Sequence, residues 1–428
     1  MRRRSLARAS LSPSIMISDY FRLLRDSPKI LGFGFLVAFF SSFGQTFYIS
    51  LSVPYLTKTF GYTNTEWGSR YSGATLLSAL CLPILGAKMD QTPLPKFARL
   101  VALGLTSSCL VIAIATNHYL LALALFGLRL TGQGLLSIMA TATMARLFHA
   151  QRGKALSIAT MGFPLGETLF PPLAVFLMSV AGWRTTWILA AGICLAILLP
   201  LGHFLLKNTP TEAPAEEQSN HSPDSHWSRR QVLRHWQFYT LLPTYVAPGF
   251  LATGLVLYQF SLADEKGWSH MLMASSFVAF GLSRLVFAFL VGPAIDRFGA
   301  NRLFAIQLLP LGLAMMLMSS QTHPIIPFVY NGLIGISLGI GSSTSAALWA
   351  ELYGTKHLGA IKSLTSTIGI FCTSLSPILV GRMLDLGITF PIQMQVFTAC
   401  LVVFAVLSKI GCASMRHLSP KKSTQAVR

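Results

Sequence analysis

The sequence predicts an all-α membrane protein of twelve transmembrane helices in two six-helix halves. Composition, the spacing of apolar runs and an internal repeat carry that prediction. Of 428 residues, 53% are hydrophobic and 11% charged, and the mean hydropathy is +0.58, far from the roughly 25% charged content of soluble domains. Runs of about 20 apolar residues fall near 30–57 (helix 1), 68–87 (helix 2), 97–116 (helix 3), 118–145 (helix 4), 155–181 (helix 5), 184–206 (helix 6), 237–262 (helix 7), 270–291 (helix 8), 301–320 (helix 9), 324–350 (helix 10), 363–382 (helix 11) and 391–413 (helix 12).

The net charge of +19 would point to nucleic acid in a soluble protein, but here its distribution matters more. Of the 33 Lys and Arg, Arg129 and Arg284 lie inside helices and Lys58, Arg70, Arg184, Lys266 and Arg382 in the loops of one face, leaving 26 on the other. The positive-inside rule places that basic face, with both termini, in the cytoplasm. The charge therefore reports topology, and no nucleic-acid partner is expected.

Residues 1–29, which begin MRRRSLARAS, form a basic, Ser-rich tail. It reads as held inside by its charge and lying partly on anionic lipid, with a targeting segment as the alternative. The first half spans 30–206, the second 237–413, and 414–428 is a second cytoplasmic tail. Between the halves, 207–236 is polar and proline-containing and holds four of the fourteen acids, as a cytoplasmic linker would. The six cysteines lack C-x-x-C spacing and read as small apolar residues. The halves repeat one another: GAKMDQTPLPK begins at Gly86 and GPAIDRFGANR at Gly292, as tandem six-helix units would.

At these residues the chain resembles the major facilitator superfamily, whose signature after helices 2 and 8 is G-x-x-x-D-R-x-G-R-K or a near variant. The second copy keeps Gly292, Asp296, Arg297, Gly299 and Arg302; the first keeps Gly86, Asp90 and Lys96 but has Gln91 and Pro93 where Arg and Gly are usual. The resemblance implies the major facilitator fold, a bacterial inner-membrane location and a gating role for both copies. Physical chemistry gives the motif a purpose of its own. Asp296 follows the C-terminus of helix 8, where its own macrodipole disfavours it, so it should seek a neighbour's N-terminus. The expected partners are the start of helix 5 (Arg152, Gly153, Lys154) for Asp296 and that of helix 11 (Lys356, His357) for Asp90.

Three deep charges define the candidate site. Arg129 lies about 16 Å from the outer end of helix 4, and Glu167 about 20 Å from that of helix 5. They share a depth to within a turn on consecutive antiparallel helices, so an Arg129–Glu167 pair is expected. A carboxylate there, subject both to loss of water and to a nearby guanidinium, can exchange between arginine and a proton. RLTGQG resembles the R-x-x-Q-G of proton-coupled drug antiporters with one extra residue. Arg284, about 18 Å above Asp296, finds no evident acid in its own helix or in the apolar segments beside it. An excess cation in a water-lined cavity favours anions. Oxalate:formate antiporters and monocarboxylate porters, which the chain resembles at Arg284, imply a carboxylate; Lys362, at the start of helix 11, reads either as a second cation or as a terminal lysine snorkelling to the interface. Gln45 and Tyr48 of helix 1 and Tyr245, Tyr258 and Gln259 of helix 7 offer further cavity-lining groups.

No P-loop, metal triad or nucleophile elbow appears, so neither enzymatic activity nor a cofactor or metal is expected. The leading expectation is a monomeric secondary transporter of a small anion, coupled to protons or working by exchange. A proton-driven efflux antiporter for drugs or metalloids, or a transporter-like receptor, are the alternatives.

Overall fold

The computed structural model describes residues 13–148, 151–207, 227, 229–354 and 358–415. Most of the linker, with Lys356 and His357, lies outside them, as does the side chain of Asp90. Among the described residues the architecture is helical throughout, with twelve helices long and apolar enough to cross a membrane. They are helix 1 (Pro28–Ser50), helix 2 (Asn64–Met89), helix 3 (Leu94–Ile114), helix 4 (His118–Leu147), helix 5 (Arg152–Ala181), helix 6 (Trp183–Leu206), helix 7 (Trp236–Leu257), helix 8 (His270–Phe298), helix 9 (Ala300–Ser320), helix 10 (Ile326–Tyr353), helix 11 (Ala360–Asp385) and helix 12 (Phe390–Ser414). Only helices satisfy every backbone group internally within a single segment in lipid. Large apolar side chains such as Leu80, Val180 and Leu309 accordingly stand exposed on the outside of the bundle, where lipid would cover them.

Turns set the ends. Gly61 and Gly267 sit in the left-handed region, with φ of 68° and 71°, where a side chain would be strained. Thr63 opens helix 2 with a capping box: its hydroxyl accepts from the Glu66 N–H while the Glu66 carboxylate accepts from the Thr63 N–H, satisfying two otherwise orphaned donors. In the second half Glu351, near the end of helix 10, accepts from the Ala300 N–H at the start of helix 9 at 3.1 Å.

Two helices depart from regular geometry where they meet. Helix 1 tightens into a 3₁₀ turn at Ser41–Gly44, and Gln45 is extended with φ −79° and ψ 154°. Facing it, helix 4 widens into a π-helical stretch over Leu128–Leu136. Gly44 and Gly132 permit the contact, since a β-carbon on Gly44 would lie 2.7 Å from the Gly132 Cα. A π turn holds one residue more than an α turn.

The halves meet chiefly along helix 2 against helix 11 and helix 5 against helix 8. Toward the face opposite the basic one, these seams are tight. A β-carbon on Gly68 of helix 2 would lie 2.6 Å from the Tyr258 hydroxyl, and one on Gly281 of helix 8 would lie 2.5 Å from the Pro164 carbonyl of helix 5. Toward the basic face the described residues leave more space: a β-carbon on Gly86, Gly153 or Gly292 would meet none of their atoms within 4 Å. Among the described residues the two seams are therefore packed more closely toward the opposite face than toward the basic one.

Candidate functional site

The Arg129–Glu167 pair that shared depth predicts does not form. Glu167 pairs with Arg284: the guanidinium Nη1 donates to Glu167 Oε1, joining helix 5 of the first half to helix 8 of the second. Helix 1 is what separates Arg129 from Glu167. On one side its Gly44 packs on helix 4; on the other a β-carbon at Gly166 of helix 5 would sit against the Ser42 hydroxyl, and the Phe43 and Phe170 rings lie 4.8 Å apart. The close approach of helices 5 and 8 at Gly281, three residues from Arg284, brings the ion pair together.

Arg129 is buried and held by neutral groups. Its Nε donates to Thr75 Oγ1 at 3.0 Å, and Nη1 donates to the Gly44 carbonyl at 3.2 Å and to Thr46 Oγ1 at 3.5 Å. The guanidinium lies 5.0 Å from the centre of the Tyr71 ring, whose hydroxyl donates to Thr46 Oγ1 at 2.7 Å. The Gly44 carbonyl lies at the break in helix 1, where the regular ladder is interrupted. Arg129 thus ties helices 1, 2 and 4 together inside the first half, a planar donor fork on three oxygens and a ring face.

A cavity of about 340 Å³ opens on the basic side of the ion pair, between helices 5, 8 and 10. Arg284 is on its wall with the hydroxyls of Ser157, Thr160, Ser342 and Ser343, and Met161, Phe163 and Phe289 add apolar surface. The Arg284 side chain is 33% exposed and that of Glu167 8%, so a solute in the cavity meets the cation first. Glu167 Oε2 is buried and, among the described residues, has no hydrogen-bond partner. The four hydroxyls escaped the sequence reading, because isolated Ser and Thr are common in membrane helices and more often bond their own backbone, as Thr160 does to the Leu156 carbonyl at 2.8 Å.

The other expected residues fall elsewhere. Tyr48, expected to face solute, is packed inside the first half, with ring centroids 4.9 Å from Phe43 and 5.1 Å from Trp187. Gln45 is half-buried at the break in helix 1, and Lys362 is exposed near the basic end of helix 11. Tyr245 packs against Trp349, 6.0 Å between centroids. Tyr258 and Gln259 belong to the face opposite the basic one: the Tyr258 hydroxyl donates to the Asn64 carbonyl at 2.6 Å, and Gln259 Nε2 to Ser50 Oγ at 2.7 Å, both across the halves. At the basic face Asp296 and Arg297 are exposed, and among the described residues Asp296 makes no ion pair with the start of helix 5.

Twelve membrane-crossing helices in two halves, with a deep ion pair between the halves, suit a membrane transporter, and comparison with known proteins agrees. The chain belongs to the Major Facilitator Superfamily, whose family model matches residues 34–377. It is a membrane transporter rather than an enzyme. Among solved structures it is similar to a bacterial homologue of the human lysosomal transporter Spinster, in an inward-facing and unoccupied conformation. The TM-score there is 0.65 at 15% identity, over 91% of this chain and 97% of that one. It is also similar to a variant of the nucleoside transporter NupG, with a TM-score of 0.62 at 15% identity over 93% of this chain and 100% of the other. At that identity the likeness is one of fold. None of the curated protein sequences matches the chain.

Proposed function

We propose that the protein is a secondary active transporter of a small anion, with a carboxylate as the preferred class, moved together with a proton or by exchange. The observation that carries this reading is a single partly exposed cation, Arg284, on the cavity wall, held by a carboxylate from the other half. An entering anion and Glu167 compete for the same guanidinium. A proton on Glu167 removes one competitor, so anion and proton binding favour each other. The buried Glu167 Oε2, unpartnered among the described residues, is the oxygen on which that proton would sit. A pump for hydrophobic cations would want an acidic cavity, and here the one deep acid is already engaged by arginine.

In this reading Arg284 is the anion contact, aided by the cavity hydroxyls, and Glu167 is the coupling group. Arg129 has the structural role its partners describe. The two G-x-x-x-D motifs, Gly86/Asp90 and Gly292/Asp296 with Arg297, Gly299 and Arg302, clasp the basic face when it closes. The excess of Lys and Arg on that face supports a cytoplasmic orientation for it; in this reading the conformation faces inward, the membrane is a bacterial cytoplasmic membrane and the working unit is a monomer.

The test is a thermal-shift panel of purified protein against carboxylates, inorganic oxyanions and hydrophobic cations, since a ligand that binds the folded state raises its apparent stability. Carboxylates should raise the melting temperature of the wild type and leave Arg284→Gln unmoved. Stabilisation by hydrophobic cations alone would overturn the reading.

A further inference from the structure

A third Gly-x-x-x-Asp lies outside the two family motifs. Helix 11 ends in GRMLD, Gly381 to Asp385, with the spacing of Gly86 to Asp90 and Gly292 to Asp296 but on the opposite face of the bundle. There the carboxylate is fully engaged with the other half. Asp385 Oδ1 accepts from the Asn64 N–H at 3.1 Å and from Asn64 Nδ2 at 3.0 Å; Oδ2 accepts from the Thr65 N–H at 2.7 Å and from Thr65 Oγ1 at 2.5 Å. These are the first residues of helix 2, whose own capping box serves Glu66 but leaves the Asn64 and Thr65 N–H groups without an intrahelical acceptor. Asp385 supplies it from across the seam.

The glycine of the motif takes part as well. A β-carbon on Gly381 would lie 2.5 Å from both the Asn64 carbonyl and the Tyr258 hydroxyl, so its bare Cα lets helix 11 reach the start of helix 2. The Tyr258 hydroxyl, donating to Asn64 O at 2.6 Å and lying 3.1 Å from Pro377 O, closes the same corner. An acid at the C-terminus of its own helix, disfavoured there, and favoured by the N-terminus of a neighbour in the opposite half, is the arrangement expected of Asp296. In this conformation Asp385 has it, while Asp296 is exposed and Gly292 open.

We infer that Gly381–Asp385 is the latch of the opposite face, and that it holds the basic-open conformation in which the motif after helix 8 is released. The two faces then carry the same device, and engaging one releases the other. This inference rests on the family's alternating access and not on the identity of the solute.

Hydrogen–deuterium exchange of the full-length protein in lipid nanodiscs tests it. Asp385→Asn removes the charge, and Gly381→Ala inserts a methyl group where the Asn64 carbonyl and Tyr258 hydroxyl stand; if one variant fails to fold, the other still decides. Each should shift the ratio of opposite-face-open to opposite-face-closed molecules by about tenfold, the ratio that about 1.4 kcal/mol makes. Amides at 63–68 and 377–386 should exchange faster while those around Gly86 and Gly292 become more protected, because the basic face closes. A merely local cap would quicken exchange at Asn64 and Thr65 and leave the basic face unchanged. That result in either variant would overturn the latch.

Discussion

Two arginines sit deep in this bundle, one in each half. Arg129 is spent on a carbonyl, two hydroxyls and the face of a ring, all within its own half. Arg284 reaches across to an acid of the other half and keeps a third of its surface in a cavity. The difference teaches how a buried cation divides between structure and mechanism. A guanidinium whose partners are all neutral and all in one rigid unit has nothing to exchange when the halves rock. In the proposed function, one whose partner is a titratable group across the seam couples the proton to the conformation.

Breaking the Arg284 side of the comparison should give the largest effect. Arg284→Gln removes the only cation on the described cavity wall and should weaken carboxylate binding by about a hundredfold, the scale of a lost charged hydrogen bond of roughly 3 kcal/mol. Isothermal titration in detergent measures it. Next comes Glu167→Gln. In proteoliposomes it should abolish net uptake driven by a pH gradient while counterflow of the same anion persists, because exchange does not require the proton to leave.

On the other side, Arg129→Lys keeps the charge but not the fork. The shorter list of donors should cost about 1–3 kcal/mol, read as a lower midpoint of unfolding, with anion affinity within twofold of wild type. Tyr71→Phe is smaller still: it loses the hydroxyl bond to Thr46 while keeping the ring under Arg129, and should cost about 1 kcal/mol. A strong loss of anion affinity in Arg129→Lys would erase the distinction between the two arginines.

The sequence makes the bundle legible because lipid leaves little choice. A run of apolar residues must be a helix, and the expected spans 118–145 and 155–181 lie within the observed His118–Leu147 and Arg152–Ala181. It also exposes Arg129, Glu167 and Arg284 as the groups needing partners, since charge in an apolar run demands one. The pairing is another matter. Rise per residue fixes depth along a helix and says nothing of azimuth, so helix 1 passing between Arg129 and Glu167 is invisible to it. The break at Gly44–Gln45 that places helix 1 there carries no proline and no helix-ending charge. Tyr48 looked like a cavity residue for the same reason: a tyrosine in an apolar run is polar enough to draw notice, and only packing shows that Phe43, Phe170 and Trp187 surround it. Asp385 was readable in principle, since its spacing from Gly381 repeats a pattern already in view. It lies on the face where the family's signature is not sought.

The central claim is that Glu167 and the transported anion compete for Arg284, and the pH dependence of anion affinity tests it most directly. Binding of a fully ionised carboxylate should be measured in the same nanodiscs for wild type and Glu167→Gln. If each anion bound brings one proton to Glu167, wild-type affinity should fall by about tenfold per pH unit above the titration of that carboxyl. Glu167→Gln, with its guanidinium already free, should bind tightly and show no such slope. An unchanged slope in Glu167→Gln, or loss of binding at every pH, would contradict the competition and leave the ion pair a structural tie between helices 5 and 8.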